Sequence, residues 1–163
     1  MLHEQKIRFF VDAMLGNIAK KLRLLGYDSK YFSDIDDEEL LQNSKKENRV
    51  IISKDHYLLR KAEKLNLKSV LVTKNSEIEQ FLEISRHVNL NIFEINGDIA
   101  RCPKCNSITE CTEKRTIKGK VPPKIFENNE RFWICKDCNQ MYWEGTHITN
   151  LQKFVEEINE RLQ

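Results

Sequence analysis

The chain has 163 residues, 40% hydrophobic and 32% charged, with a formal net charge of +2. This is a globular composition, which excludes an intrinsically disordered chain. No apolar run of about 18 residues exists to span a membrane, and the opening segment MLHEQKIRFFVDAML lacks the apolar core of a secretory leader. Near-balanced charge does not by itself announce a nucleic-acid binder, so where the lysines and arginines fall matters more than their sum.

In chain order, residues 7–11 (IRFFV) predict a short buried strand ending at Asp12. Leu15, Ile18, Leu22 and Leu25 then recur at helical spacing, with Gly26 as the stop. Residues 30–32 predict a short strand, and 33–37 an acidic loop. Residues 37–47 fit a helix with acids in its first turn, where the dipole favours them. Residues 49–53 (RVIIS) predict a second apolar strand just before Asp55, 56–65 a helix, and 68–73 (KSVLVT) a third strand. Ser76 with Glu79 forms a capping-box pattern that opens a helix over 77–87. Residues 90–95 (LNIFEI) alternate as an edge strand would.

Alternating strands and helices predict an α/β domain over 1–97, with a mostly parallel sheet and helices on both faces. Ligands of such sheets bind at the carboxyl ends of the strands, where Asp12 and Asp55 fall. Past Gly97, cysteines, prolines and short strand-like pieces replace the alternation, so a second module is expected over 98–148. Residues 149–163 predict a C-terminal helix, with Leu151, Phe154, Val155, Ile158 and Leu162 on one stripe that packs back on the body.

Cys102-Pro-Lys-Cys105 and Cys135-Lys-Asp-Cys138 are two CxxC hooks. Two residues between cysteines let both thiolates face one point, and two hooks close a tetrahedral shell with bonds of about 2.3 Å. Four soft thiolates suit zinc. A redox CxxC normally opens a helix after a strand, and two hooks in one small segment argue against it. A small module also needs a metal to supplement a small core. The 29 residues between the hooks are expected to form a long hairpin of a zinc ribbon. Cys111 has no partner and reads as a packed or surface thiol, and His147 is not needed in a shell that four thiolates already fill. A closed zinc shell leaves no open position for catalysis. Cysteines used this way fit a reducing cytoplasm rather than a disulfide frame.

Asp12, Asp37 and Asp55 are the candidate catalytic set. Carboxylates that converge repel one another, and a hard cation such as Mg2+ or Mn2+ resolves the repulsion. The plainer reading stands beside this one: Asp12 and Asp55 as helix caps, and Asp37 as an acid of a helix first turn.

The ordered motifs FFVDAMLGNIAKKLRLLGYD, DEELL, RVIISKDHYLL, RCPKCN, VPPKI, WICKDC and YWEGTH resemble the Mut-seven C-terminal RNase domain family, from about Ile7 to His147. Members of that family resemble PIN-like nucleases in their first part and carry an appended zinc ribbon. The resemblance implies a three-layer α/β/α fold and metal-dependent hydrolysis of RNA phosphodiesters. It matches Asp12 to the acid after the first strand and Asp37 to the acid opening the helix before the second long strand. It matches Asp55 to the acid of the family's Thr-Arg-Asp segment, written here as Ser53-Lys54-Asp55. Ser53 and Lys54 depart from that segment but keep a hydroxyl and a cation beside the acid. Fuller PIN nucleases present a fourth acid, for which Asp34 and Asp36 are candidates. A nuclease that trims small-subunit ribosomal RNA has a similar architecture, so RNA, with ribosomal RNA or the ribosome by analogy, is the expected partner.

Cations must flank such a site for RNA to approach it. Lys20, Lys21, Arg23 and Lys54 lie near the candidate acids in sequence, and Lys114, Arg115, Lys118 and Lys120 lie in a basic stretch of the ribbon. Trp133, Tyr142 and Trp143 are candidates for stacking on bases, although a small module favours using them as core. Two functions are therefore expected to compete: a metal-dependent endoribonuclease, in which activated water attacks phosphorus with no covalent intermediate, and a non-catalytic RNA- or ribosome-binding protein with a degenerate site.

Overall fold

The computed structural model describes residues 6–163, so the first five residues of the 1–97 range, which open the segment read for a leader, lie outside it. Strands β1 (Phe9–Val11), β2 (Ser29–Tyr31), β3 (Val50–Ser53) and β4 (Ser69–Leu71) form one sheet in the order β2-β1-β3-β4, with every pairing parallel. Helix α1 (Gly16–Leu24) carries the chain from β1 to β2. Helix α2 (Asp37–Glu47) brings it back across the sheet to β3, and α3 (His56–Lys64) leads on to β4. The direction of travel reverses between β1 and β3, so their carboxyl ends form the switch point of the sheet.

Period-two alternation divides the core. Phe9, Val11, Val50 and Ile52 pack with residues of α1, α4 (Glu77–His87) and α6 (Thr146–Leu162), whereas Phe10 and Ile51 pack with Leu40, Leu41, Leu58 and Ala62 of α2 and α3. Both faces of the central strands are covered, which is why IRFFV and RVIIS read as continuous apolar runs. Helix α6 starts at Thr146, earlier than the predicted 149, and buries Leu151, Val155 and Ile158 against the same cluster as α4.

Among the described residues five non-glycine residues take the left-handed conformation, and all are asparagines. Asn48, Asn66 and Asn89 close α2, α3 and α4, a role for which asparagine substitutes for glycine. The other two, Asn106 and Asn139, directly follow the two cysteine hooks.

The predicted edge strand over 90–95 does not form, and this stretch has no regular structure. Phe93 turns into the core, while Asn159 of α6 accepts from the Phe93 amide at 2.8 Å and donates to its carbonyl at 2.9 Å. One side-chain amide thus supplies both bonds that a neighbouring strand would have supplied.

A second sheet is antiparallel, in the order β5-β6-β7, with β5 (Thr109–Thr112), β6 (Phe132–Cys135) and β7 (Met141–Trp143). The span between β5 and β6 is not a plain hairpin. It holds a 3-10 turn at Lys114–Ile117 and the short helix α5 (Pro123–Asn128). Among the described residues no helix is long and apolar enough to cross a membrane.

Candidate functional site

The four hook cysteines come together. Their sulfurs lie within 4.8 Å of one another, with Cys102–Cys138 at 3.6 Å and Cys105–Cys135 at 3.4 Å. Tetrahedral zinc with bonds of about 2.3 Å sets sulfurs about 3.8 Å apart, so the donors and their spacing fit that ion. The hooks are built alike. The Cys102 amide donates to Ser107 O and the Asn106 amide to Cys102 O, while the Cys135 amide donates to Gln140 O and the Asn139 amide to Cys135 O. Each hook is a Cys-x-x-Cys-Asn turn whose asparagine takes the left-handed conformation that folds the chain back over the sulfurs.

The thiols are electrostatically unequal. Burial raises Cys105, but hydrogen bonds from Ser107 and the neighbouring thiols outweigh it and bring it down to about 6. Burial is the main cause that pushes Cys135 up to about 12. Tyr142 adds a partner from β7, its hydroxyl 2.9 Å from Cys102 Sγ, and it must be the donor once that sulfur is a thiolate.

The first hook is fastened to the edge of the parallel sheet. Asn106 accepts from the Ser29 amide at 2.9 Å and donates to Asp28 Oδ1 at 2.7 Å. Asp28 also takes a two-pronged contact from Arg49, at 2.7 and 3.0 Å. Burial alone would raise the Asp28 carboxyl, but the bonds from Arg49 and Asn106 hold it below its ordinary range. Arg23 completes the join, donating to Ser29 O at 2.8 Å and to Pro103 O at 2.9 Å.

The acids lie at the other end of the strands. Asp12 directly follows β1 and Asp55 follows β3 by two residues, so both sit at the carboxyl edge of adjacent parallel strands. Asp12 Oδ1 accepts from the Ala13 amide at 2.7 Å, and Oδ2 accepts from the buried Ser53 hydroxyl at 2.7 Å. Ser53 Oγ in turn accepts from the Asp55 amide at 2.9 Å. Asp55 Oδ1 caps α3 through the Tyr57 amide at 2.8 Å. The hydroxyl of Ser53 therefore ties the two strand ends together.

Asp37 is placed differently. It opens α2 with its carboxylate 3.5 Å from Lys61 of α3, and Asp36 is the residue that caps the helix. Among the described residues the four cysteines alone form a group of three or more potential ligands within 4.8 Å, so the three aspartates are not gathered that tightly.

Beside Asp12 a crevice of about 500 Å³ is lined by Met14, Lys20, Tyr31, Lys54, Asn75 and Glu77, among others. Tyr31 closes its floor, its hydroxyl donating to Ala13 O at 3.1 Å. A Cβ on Gly16 would meet the Tyr31 ring at 2.9 Å, so a larger residue there would displace that floor.

The basic candidates divide. Lys20 is exposed, and Lys54 lines the crevice. Lys21 is paired with Glu77 at 2.6 Å, Lys114 with Glu130 at 2.8 Å, and Arg115 with Glu113. Arg23 is a correction: it is buried and its guanidinium is spent on backbone carbonyls, so it offers no charge to a ligand. Trp133 is likewise core. Its indole donates to Asp98 at 3.1 Å, and a Cβ on Gly97 would meet its ring at 2.4 Å.

The family model of the Mut7-C RNAse domain matches residues 7–155 of the chain. The chain belongs to the Mut7-C RNAse domain family. Neither a curated protein nor a solved structure matches the sequence at a significant level. Membership points to a nuclease or RNA-related role, and the cysteine group of this Mut7-C domain has the donors of a metal centre.

Three parts of the Mut7-C site escaped the sequence reading. In sequence Tyr142 suits stacking or core, yet it sits against the hook sulfur. Asn106 and Asn139 carried a signal in the repeated Cys-x-x-Cys-Asn pattern, which only the shared turn makes plain. The Arg49–Asp28 pair carried none, because its partners are 21 residues apart, each just ahead of a different strand.

Proposed function

We propose that this protein is a metal-dependent endoribonuclease of PIN-like, three-layer α/β/α plan, with Asp12 and Asp55 as its principal carboxylates. The observation that carries the reading is the position of these two acids on neighbouring strand ends at the switch point, joined through Ser53. A hard divalent ion such as Mg2+ or Mn2+, when bound there, supplies charge that stabilises the phosphodiester transition state and acidifies water. Asp12 and Asp55 have the oxygen donors for such an ion.

The chain's own residues supply the rest. Ser53 holds Asp12 in one orientation. Lys54 and Lys20 flank the acids and place RNA phosphates beside them, with the crevice receiving the strand. Asp37 stands at the rim and joins the acids only by giving up Lys61. The four-cysteine ribbon takes structural zinc and positions RNA from the β2 side, with Lys114 and Arg115 as outlying cations. On this reading residues 1–97 are the nuclease domain, 98–148 the ribbon and 149–163 its C-terminal helix.

Incubation with labelled single-stranded RNA and Mn2+ tests the proposal. Cleavage that disappears in Asp12→Asn, with the thermal melt unchanged, is the expected result. Retained binding with no Mn2+-dependent cleavage of any RNA would favour the second reading, a non-catalytic RNA- or ribosome-binding protein. Two observations favour that alternative: Asp55 is occupied as a helix cap, and Asp37 is paired with Lys61.

A further inference from the structure

Among the described residues just two Phe, Tyr or Trp side chains are exposed, Phe32 at 52% and Tyr57 at 65%. Both belong to the carboxyl edge of the parallel sheet. Phe32 is the first residue beyond β2, and Tyr57 lies in the first turn of α3, its amide bonded to Asp55. Met14, 72% exposed, follows Asp12 by two residues at the same edge. A single exposed ring is ordinary, but two that flank a candidate acidic site offer π-faces on which unpaired bases can stack.

The sheet order fixes how these rings stand relative to the acid. Asp12 leaves β1, which lies between β2 and β3, so Phe32 and Tyr57 flank it. Two strand spacings separate their backbones, on the order of 10 Å. The Phe32 ring contacts buried Phe10 at a tilt of 53°, with ring centroids 6.0 Å apart, and Lys61 lies 4.5 Å from the Tyr57 ring centroid. The remaining ring surface faces outward. Cations neighbour this edge, with Lys61 over the Tyr57 ring and Lys54 directly before Asp55 in the chain. Isolated rings set among cations suit flat bases on a polyanion better than a continuous apolar partner.

We infer that Phe32 and Tyr57 are stacking platforms for two unpaired nucleobases of an RNA strand, one on either side of the phosphate that faces Asp12. This rests on the nuclease reading for the position of the phosphate. Bases held in a duplex are stacked on each other and cannot reach the rings, so the pair selects single-stranded RNA.

The test is fluorescence anisotropy of a labelled single strand of about ten nucleotides, within the footprint of one such site. It is run without divalent ions on the full chain, on Tyr57→Ala, Tyr57→Phe and Phe32→Leu. Phe32→Leu keeps an apolar cover over Phe10 and removes the ring, which separates stacking from folding. Tyr57→Ala and Phe32→Leu should each weaken binding roughly tenfold, while Tyr57→Phe binds as the parent does. The slope of log affinity against log salt should not change, because no phosphate contact is lost. Unchanged affinity in both ring-removing variants would overturn the inference. So would an equal loss with a duplex of the same sequence, or a parent chain that binds no single strand. The two readings fail separately. Lost stacking without any cleavage keeps this inference and sinks the nuclease, while normal binding by both variants beside a cleavage-dead Asp12→Asn does the reverse.

Discussion

Ser53 Oγ donates to Asp12 Oδ2 across the β1–β3 pair at 2.7 Å. The same oxygen accepts from the Asp55 amide, so one buried hydroxyl sets the spacing of both acids. Removing it leaves the Asp55 amide without its partner and Asp12 free to rotate. Ser53→Ala should cost about 1 to 2 kcal/mol in a urea melt and lower cleavage more than it lowers RNA binding. Ser53→Thr, which keeps the hydroxyl, should restore cleavage toward the parent rate. Equal activity in Ser53→Ala and the parent would show that the bridge does not position Asp12.

Asp37 and Asp12 should not be equivalent. Asp37 is already neutralised by Lys61, while Asp12 makes no ion pair among the described residues. Asp37→Asn should therefore slow Mn2+-dependent cleavage by roughly tenfold or less, and Asp12→Asn by a hundredfold or more. Single-turnover rates at saturating Mn2+ measure the difference, and the reverse order would move the centre of the site toward α2.

The join between hook and sheet makes a pH prediction. Asp28 is held below its ordinary value of 3.8, with the bonds from Arg49 and Asn106 outweighing burial. Its depressed folded-state value means that the unfolded chain binds the proton more readily. The stability it contributes is full above the unfolded value and is lost as pH falls below 3.8 through the folded value. Asp28→Asn should be about 1 to 3 kcal/mol less stable at neutral pH, because buried Arg49 loses one of its two carboxylate partners and keeps only Glu47. Between pH 5 and 2, about the range where carboxylates titrate, the parent should lose more stability than the variant. Parallel melting curves would contradict the assignment.

The same join links the metal centre to the sheet. Asn106 follows Cys105 directly and bonds both Ser29 and Asp28. Each chain should carry one zinc, and cobalt in its place should show thiolate charge-transfer absorption, lost in Cys135→Ser. Chelation should raise hydrogen exchange not only around the hooks but along β2. Exchange at β2 that ignores the metal would mean that the hook folds independently of the sheet.

Much of this was legible from single residues. The runs IRFFV and RVIIS announce strands buried on both faces, and the acids at their ends mark the carboxyl edge before any fold is known. The paired hooks announce their own shell, because four thiolates at that spacing have few other uses. What failed was decided by distant partners. Residues 90–95 alternate like a strand, but Asn159, 66 residues away, takes the place of a neighbouring strand. Arg23 reads as one of three cations on α1, yet it falls on the helix face of Ala19 and Leu22 and is buried with them. Trp133, for which the small module favours core over stacking, is buried and packs on Gly97. For residues 90–95 and for Arg23 the local pattern was right and a long-range contact reassigned the side chain.

Mn2+ binding followed by paramagnetic resonance tests the central claim most directly, because it asks whether the carboxyl edge holds a hard cation without requiring the right RNA. With zinc filling the thiolates, the parent should remove Mn2+ from the free-ion signal at a saturable site, and Asp12→Asn and Asp55→Asn should each abolish it. Undiminished binding in both variants, or none in the parent, would contradict the account.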